Sequence, residues 1–384
     1  MKILAVVDFG LTEMSGGYQR NMEVISRLKS IVNLDIVPSL RNMRLAINGH
    51  RRELLNLVKG LNSTPGKVLD ILEEINSTEE YEKRLSKIRE DYDVGIVYSN
   101  SAENIRLARK ITKSPVGVQL QLEPFYEDLT RLFRIKFRGP TGRAIERFRN
   151  AIEESNRERH EWVSLIREGA LTFAISVSKV PLSNSGLDKM IKYDVSYPSN
   201  AFDPSLLHLR RDKEDYAVYF TRLIPEKGLF EVPIIWKKVN RKKDIRLYVM
   251  GNFQDPRDEE DFLNLVKRMD VNIEYLGFKE GKRLYEVVAG AMFTLYPSHY
   301  DSFSLVVLES LALNTAVVAY DTQAIREIYH GVKGVHTAKE DDINGLAELA
   351  LSLGNENIEI PAQYSSWDSV VKAELNSIRK CLNA

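Results

Sequence analysis

The sequence predicts an α/β protein of two doubly wound domains, each a parallel sheet covered by helices on both faces. Short apolar runs alternate with amphipathic stretches along both halves of the chain, the pattern of strand–helix–strand units rather than of hairpins. A polar segment at 209–215, the candidate linker between the halves, interrupts the alternation near the middle, after which it starts again. At 384 residues the chain is long enough for two domains that each bury a core.

In the first half the apolar runs 3–7, 34–37, 94–98, 116–120, 171–176 and 194–197 read as strands, with helical patterns at 17–29, 102–110 and 142–168. The highly charged stretch 41–91 is helical in character and broken at Asn62-Ser-Thr-Pro-Gly66. In the second half the strands are 216–220, 246–250, 272–276, 293–296 and 317–320, with helices at 230–239, 258–269, 282–289 and 304–313. A final helix spans 366–382. The expected domains are 1–208, 209–363 and, as a helix packing back across the junction, 364–384.

Hydrophobic content of 43% and charged content of 28% are ordinary for a soluble globular protein. Formal net charge is zero, so no global field recruits nucleic acid or acidic membranes. One cysteine, Cys381, excludes an internal disulfide and a cysteine-based metal cluster. The first residues carry too short an apolar run for a signal peptide, and no run approaches the ~20 apolar residues of a membrane span. The expectation is a cytoplasmic protein.

The most informative stretch runs from Tyr296 to Tyr320: Tyr-Pro-Ser-His-Tyr-Asp301-Ser-Phe-Ser-Leu-Val-Val-Leu-Glu309, then the strand Ala316–Tyr320. It places Asp301 on a strand-to-helix loop and Glu309 inside the helix. An anion at that helix start would meet the N–H groups of Phe303, Ser304 and Leu305 and the positive end of the helix dipole. The carboxylates are then free to accept hydrogen bonds from hydroxyls, which is chemistry suited to a sugar bonded to a phosphate. Taken singly, each carboxylate would read as a solvated loop or helix residue.

A second motif follows the strand 216–220: Thr221-Arg222-Leu-Ile-Pro-Glu-Lys227-Gly228. Arg222 offers a planar donor fork and Lys227 a flexible point charge, a pair suited to a diphosphate leaving group. Read alone, the same residues make an ordinary surface turn. In the first half, Gly16-Gly17 lies between the first strand and a helix and permits close backbone approach. The spacing is not that of a dinucleotide-binding loop, which argues against a dehydrogenase. Gly251 and Gly277 end strands of the second half, the latter followed by Phe278.

These motifs resemble those of retaining GT-B glycosyltransferases, especially glycosyltransferase family 4 (group 1). Asp301 stands where that family has the first Glu of its Glu-x7-Glu motif, Ser302 and Ser304 replace two Gly, and Glu309 is kept. Thr221 replaces a Gly in the Arg222–Lys227 segment. The resemblance implies two facing Rossmann-like domains with an interdomain cleft and a donor that is a UDP- or GDP-type nucleotide sugar. It also implies transfer with retention of configuration and no cofactor or required metal. It implies that Arg222, Lys227 and the Phe303–Leu305 amides hold the diphosphate, that Asp301 grips the sugar, and that Glu309 binds the ribose. Gly16, Gly17, Gly251, Gly277 and Phe278 would line the nucleotide pocket.

A His usual near the end of the fourth strand is missing; Gln121 or Glu123 is the candidate for contact with sugar or acceptor, and a purely structural role for both is equally open. From Arg131 to Arg149, seven basic residues and one acidic one interleave with Phe133, Phe137 and Phe148. Such a surface suits the inner face of an anionic membrane and a lipid-linked or glycan acceptor; a solvated helix face with core Phe residues explains it as well. The competing class is a non-catalytic nucleotide-sugar-binding or scaffold subunit of the same fold, supported by the departures at Asp301, Ser302 and Ser304. A GT-B epimerase or phosphorylase is a further rival.

Overall fold

A computed structural model describes residues 1–12, 15–88, 90–354 and 357–383. The chain divides into two compact units. The first comprises Met1–Asp128, Glu153–Asn200 and Trp367–Ala384; the second comprises Leu129–Ile152 and Ala201–Ser366.

The first unit holds a six-stranded parallel sheet in the order β2-β1-β3-β4-β5-β6, from β1 (Lys2–Val7), β2 (Asn33–Pro38), β3 (Val94–Tyr98), β4 (Val116–Leu120), β5 (Phe173–Ser176) and β6 (Lys192–Val195). Its central strands are apolar at nearly every position because helices cover both faces, so no face needs to be polar. The charged stretch after β2 forms helices Leu40–Leu45, Arg51–Leu61, Gly66–Glu74 and Thr78–Leu85. The expected break falls where Asn62 takes left-handed φ and ψ of 51° and 31° and caps the helix before it.

The second unit holds β7 (Tyr216–Phe220), β8 (Arg246–Met250), β9 (Ile273–Tyr275), β10 (Phe293–Tyr296), β11 (Ala316–Tyr320) and β12 (Val335–Ala338), also all parallel. The order is β12-β11-β10-β7-β8-β9, which, read from the β9 edge and counting its own strands from one, is 3-2-1-4-5-6. In such a sheet successive connections leave in opposite directions at one point, here between β7 and β10. Loops at the carboxyl ends of those two strands flank a crevice where ligands bind. Both units are therefore Rossmann-like α/β domains.

Three sequence expectations need correction. The first boundary, expected at 208, lies at Asn200–Ala201, and residues 129–152 belong to the second unit although they precede it in sequence. The polar segment 209–215 is not a free linker. Arg210 donates to the Ala312 carbonyl, Lys213 to Ala289 O and Thr315, and the Glu214 amide to Gly290 O, all in the second unit. Strand β12 has no counterpart among the expected runs, because at the sheet edge its Val-His-Thr-Ala sequence is only partly buried.

The terminal helix Trp367–Asn383 belongs to the first unit, where it packs on the helix Gly16–Leu28 and on β5 and β6. A buried ion pair secures it. Arg20 donates to Glu374 at 2.5 Å and to the Ser199 carbonyl at 2.8 Å, and Tyr98 donates to the other Glu374 oxygen at 2.6 Å. Arg20 and Glu374 are each 1% exposed. Arg20→Met strands the Glu374 carboxylate without its cation and should cost about 3–5 kcal/mol, read as a lowered denaturation midpoint. A midpoint within error of the parent would show that the pair does not hold the helix.

Candidate functional site

The site grows from two strand ends that must approach closely. After β7 the chain makes the turn Pro225–Lys227 and reaches Gly228 at φ +77°, where a Cβ would lie 2.2 Å from the Pro297 carbonyl oxygen at the end of β10. After β8, Gly251 sits at φ +145° with its missing Cβ 1.9 Å from the Thr221 carbonyl oxygen. Only glycine meets both demands at once. Gly251 is thus fixed by a close approach, and its N–H donates to Gly277 O at 3.2 Å, tying the β8 and β9 loops together.

This scaffold buries Lys227. Its ammonium donates to the Tyr300 carbonyl at 2.6 Å and to Asp301 Oδ1 at 2.7 Å. The second Asp301 oxygen accepts from Tyr296 at 2.8 Å and Ser298 at 2.6 Å. Burial pushes the Lys227 ammonium below its ordinary value; Asp301 opposes that shift and the nearby Arg222 charge adds to it. The Tyr219 hydroxyl fixes the backbone by donating to Lys227 O at 3.0 Å. Arg222 is half-buried and, among the described residues, has no carboxylate within ion-pair distance. One cation is compensated and its neighbour is not, so the site carries spare positive charge.

Beyond Asp301 the chain enters the helix Leu305–Ala312 through Ser304, whose φ and ψ of 66° and 67° are left-handed. This is the conformation a glycine adopts freely and a serine adopts at a cost of order 1–3 kcal/mol. Packing imposes it. The Phe303 ring lies edge-on to Tyr329 and Tyr364, and the Tyr329 hydroxyl donates to Ser304 O at 3.0 Å. Left-handed backbone followed by helix turns successive N–H groups toward one side, the geometry of an anion-binding concavity. Among the described residues no acceptor engages the amides of Phe303, Ser304 or Leu305. The Ser302 hydroxyl is also buried without a partner.

Glu309 projects one turn into that helix. It is half-buried and accepts from Tyr285 at 2.9 Å. Desolvation pushes its carboxyl up to about 7, with the Tyr285 hydrogen bond opposing. Gly277, at φ +74° with open space around it, precedes the exposed Phe278. The second unit thus unites Arg222, Lys227, Asp301 and the 302–305 loop. Tyr296, Ser298 and Tyr285 complete the set. The first two lie inside the quoted motif but read as a strand end and a turn. Tyr285 left no local signal, since its partner is on another helix.

Gly16, Gly17, Gln121 and Glu123 lie in the first unit. Gly16 opens the helix Gly16–Leu28, which Ser15 caps by accepting from the Tyr18 N–H. Gln121 donates to Gly17 O at 3.0 Å and to Asn21 at 2.5 Å, and a Cβ on Gly17 would lie 2.7 Å from the Gln121 amide oxygen. Glu123 is buried and accepts from Asn184 at 2.9 Å. Gln121 and Glu123 therefore brace the first unit's loops.

The basic segment is largely paired within the second unit. Arg131 pairs with Glu340, Lys136 with Glu226, Arg138 with Glu231 and Asp341, Arg143 with Asp258 and Asp261, and Arg147 with Asp258. Phe137 and Phe148 both pack on Phe133. The carboxylates lie about a hundred residues or more away in sequence, so the pattern looked like a free cationic surface. Only Arg134 and Arg149 remain without an ion partner among the described residues.

Residues 208–365, within the second unit, match the family model for glycosyl transferases group 1. An uncharacterized glycosyltransferase of Methanocaldococcus jannaschii is 27% identical over 177 residues, spanning 43% of this chain and 45% of that relative, less than half its length. Among solved structures, Anabaena HepE in complex with UDP aligns at a TM-score of 0.64 and 13% identity, covering 99% of this chain and 100% of that one. Its complex with UDP-glucose aligns at 0.63 and 14%, with the same coverage. Sucrose-phosphate synthase from Thermosynechococcus elongatus aligns at 0.58 and 13%, covering 100% and 97%. The fold is that of the GT-B glycosyltransferases. No described helix is long and apolar enough to cross a membrane.

The buried pair sets a testable energetic expectation. Asp301→Asn leaves the Lys227 ammonium buried without a counter-charge and should destabilise by about 3 kcal/mol. Adding Lys227→Met should recover part of that loss, so the double variant falls short of the sum of the singles in a denaturation cycle. Strict additivity would show that the two charges are not coupled.

Proposed function

We propose that the protein is a retaining glycosyltransferase of the family 4 type, moving a hexose from a nucleotide-diphosphate sugar to a glycan or lipid-linked acceptor. The observation that carries this reading is spare positive charge and unengaged N–H groups meeting at the β7–β10 strand ends. Arg222, Lys227 and the Phe303–Leu305 amides would take the diphosphate as it departs, stabilising charge that grows in the transition state. With cations and amides in that role, the reading calls for no metal ion. The complexes of HepE with UDP and UDP-glucose make a uridine donor the first to try.

Asp301 has a double part in this scheme. Three internal donors already engage it, so its first task is to hold Lys227. A carboxylate has about four acceptor sites, which leaves capacity for one sugar hydroxyl. Glu309 would accept from the ribose hydroxyls, Gly251 and Gly277 would line the base and Phe278 would flank it. Gly16 and Gly17 would belong to the donor-nucleotide side, and Gln121 or Glu123 would contact the sugar or the acceptor. Residual membrane contact through Arg134 and Arg149 belongs to this proposal as a source of lipid-linked acceptor.

A thermal-shift series with UDP-, GDP- and ADP-sugars should show one selective nucleotide class, raising stability by about 3 kcal/mol at a hundredfold excess over Kd. Transfer assays with that donor should lose at least ~2 kcal/mol of transition-state stabilisation in Arg222→Ala and in Lys227→Ala. Near-parental turnover in both would sink the diphosphate assignment. Selective binding without transfer to any acceptor would favour the non-catalytic subunit.

A pH prediction follows from Glu309. Its ordinary value is 4.5 and its folded value about 7, so the folded state holds the proton between those limits. Its ionisation penalty grows from pH 4.5 to about 7 and is constant above. A ribose diol donates to the ionised form, so nucleotide-sugar affinity should fall below pH 7, by up to roughly tenfold per unit. The diphosphate diester does not titrate in this range. Glu309→Gln should flatten the profile; an unchanged slope would remove Glu309 from the donor site.

A further inference from the structure

Two residues before Asp301, His299 is fully buried with both ring nitrogens engaged. Nε2 lies 2.8 Å from Glu231 Oε1 and Nδ1 lies 3.0 Å from Glu340 Oε1. Ionised carboxylates only accept hydrogen bonds, so both nitrogens must carry a proton and the ring is an imidazolium. The carboxylates stay ionised. Against burial, His299 and Arg131 hold Glu340 down at about 2. Glu231 is likewise lowered against burial by His299, Tyr320 and Arg138.

Each carboxylate is also held by the segment that precedes the unit in sequence. Arg131 donates to both Glu340 oxygens at 2.9 and 3.0 Å, and to the His299 carbonyl at 2.6 Å. Arg138 donates to Glu231 at 3.0 Å and to Asp341 at 2.6 Å. Asp341 stands 4.0 Å from His299 Nδ1, and the Tyr320 hydroxyl donates to the other Glu231 oxygen at 2.6 Å. Three carboxylates (Glu231, Glu340, Asp341) thus face three cations (Arg131, Arg138, His299), and the charges balance only when the histidine is charged. One Arg138 nitrogen bridges Glu231 and Asp341.

The linkage reaches the donor loop directly. The His299 backbone N–H donates to the Glu226 carbonyl at 3.0 Å, and Lys136 pairs with the Glu226 side chain at 2.8 Å. The Tyr300 ring lies within 6 Å of both Lys136 and Lys227 ammonium groups. Gly139, at φ +77° against the Phe230 ring, turns the chain tightly enough for Arg131 and Arg147 both to find partners on the unit.

We infer that the His299 imidazolium is a positioning residue, a proton-dependent latch that locks loop 297–302 and segment 129–138 together and so presents Lys227 and Asp301 to the donor. This rests on the donor-site reading above. When His299 loses its proton, at least one carboxylate faces a bare ring nitrogen, and the two segments loosen together. Burial by itself would lower this imidazole, but the hydrogen bonds to Glu231 and Glu340 outweigh it and raise it above its ordinary 6.5. A raised imidazole contributes stability that is complete below 6.5 and is lost as the pH climbs through the folded value.

The test uses the full chain without nucleotide. Proton NMR of the histidine ring resonances, with His299 assigned by its absence in His299→Gln, should place its midpoint above 6.5. Amide-exchange protection of residues 129–138 and 297–302, corrected for intrinsic rates, should drop together by roughly tenfold as the pH passes that midpoint. His299→Gln should show the low protection already at neutral pH. Glu340→Gln, which keeps the ring but removes one acceptor charge, should shift the histidine midpoint down. A midpoint at or below 6.5, or unchanged protection in both variants, overturns the latch. Titration with UDP-glucose then separates the two readings. Binding that weakens in parallel with protection supports the latch as a device of the donor site. Binding that ignores His299→Gln overturns that link, and no binding of UDP-glucose or of GDP- and ADP-sugars counts against the donor reading while the exchange result still decides the latch.

Discussion

The second unit is organised around one buried ammonium. Lys227 sits where β7 and β10 end side by side, and its charge is tolerable there only because Asp301 and the Tyr300 carbonyl meet it. Much of the local sequence follows from that demand. Gly228 lets the turn approach Pro297, Gly251 lets the β8 loop approach Thr221, and Tyr296 and Ser298 satisfy the remaining Asp301 oxygen. Such a pair adds little net stability compared with an apolar core. Its value is a fixed position for positive charge at the sheet's switch point.

Around this pair the molecule uses charge in layers of different accessibility. Arg222 stays half-exposed and, among the described residues, has no carboxylate within ion-pair distance. Lys227 is compensated from within. Apart from Arg134, the cations of segment 129–147 are spent on Glu226, Glu231, Asp258, Asp261, Glu340 and Asp341. A chain of zero net charge thus gathers local fields of opposite purpose, one open to ligand and the other closed on itself. His299 belongs to the closed set by its bonds and to the open set by its place in the loop.

The left-handed Ser304 shows how tertiary packing overrides local preference. Its backbone conformation suits glycine, yet the Phe303 ring between Tyr329 and Tyr364 and the Tyr329 bond to Ser304 O hold it there. The strain is stored at the start of the helix Leu305–Ala312.

Alternating apolar runs determined two parallel α/β sheets by themselves, because a strand buried on both faces has to be apolar throughout. Motif spacing did the same for the loop carrying Arg222 and Lys227 and for the helix carrying Glu309, since strand ends and helix starts are local events. Edge strand β12 stayed hidden because a half-exposed strand has no such signature. Only the tertiary structure decided what the charges do. Arg131 and Glu340, Lys136 and Glu226, His299 and Glu231, and Tyr285 and Glu309 are separated in the chain, and an ion pair's partner is set by distance in space, which periodicity does not encode. For the same reason the segment 129–152 reads as part of the first half in sequence and packs with the second in the fold.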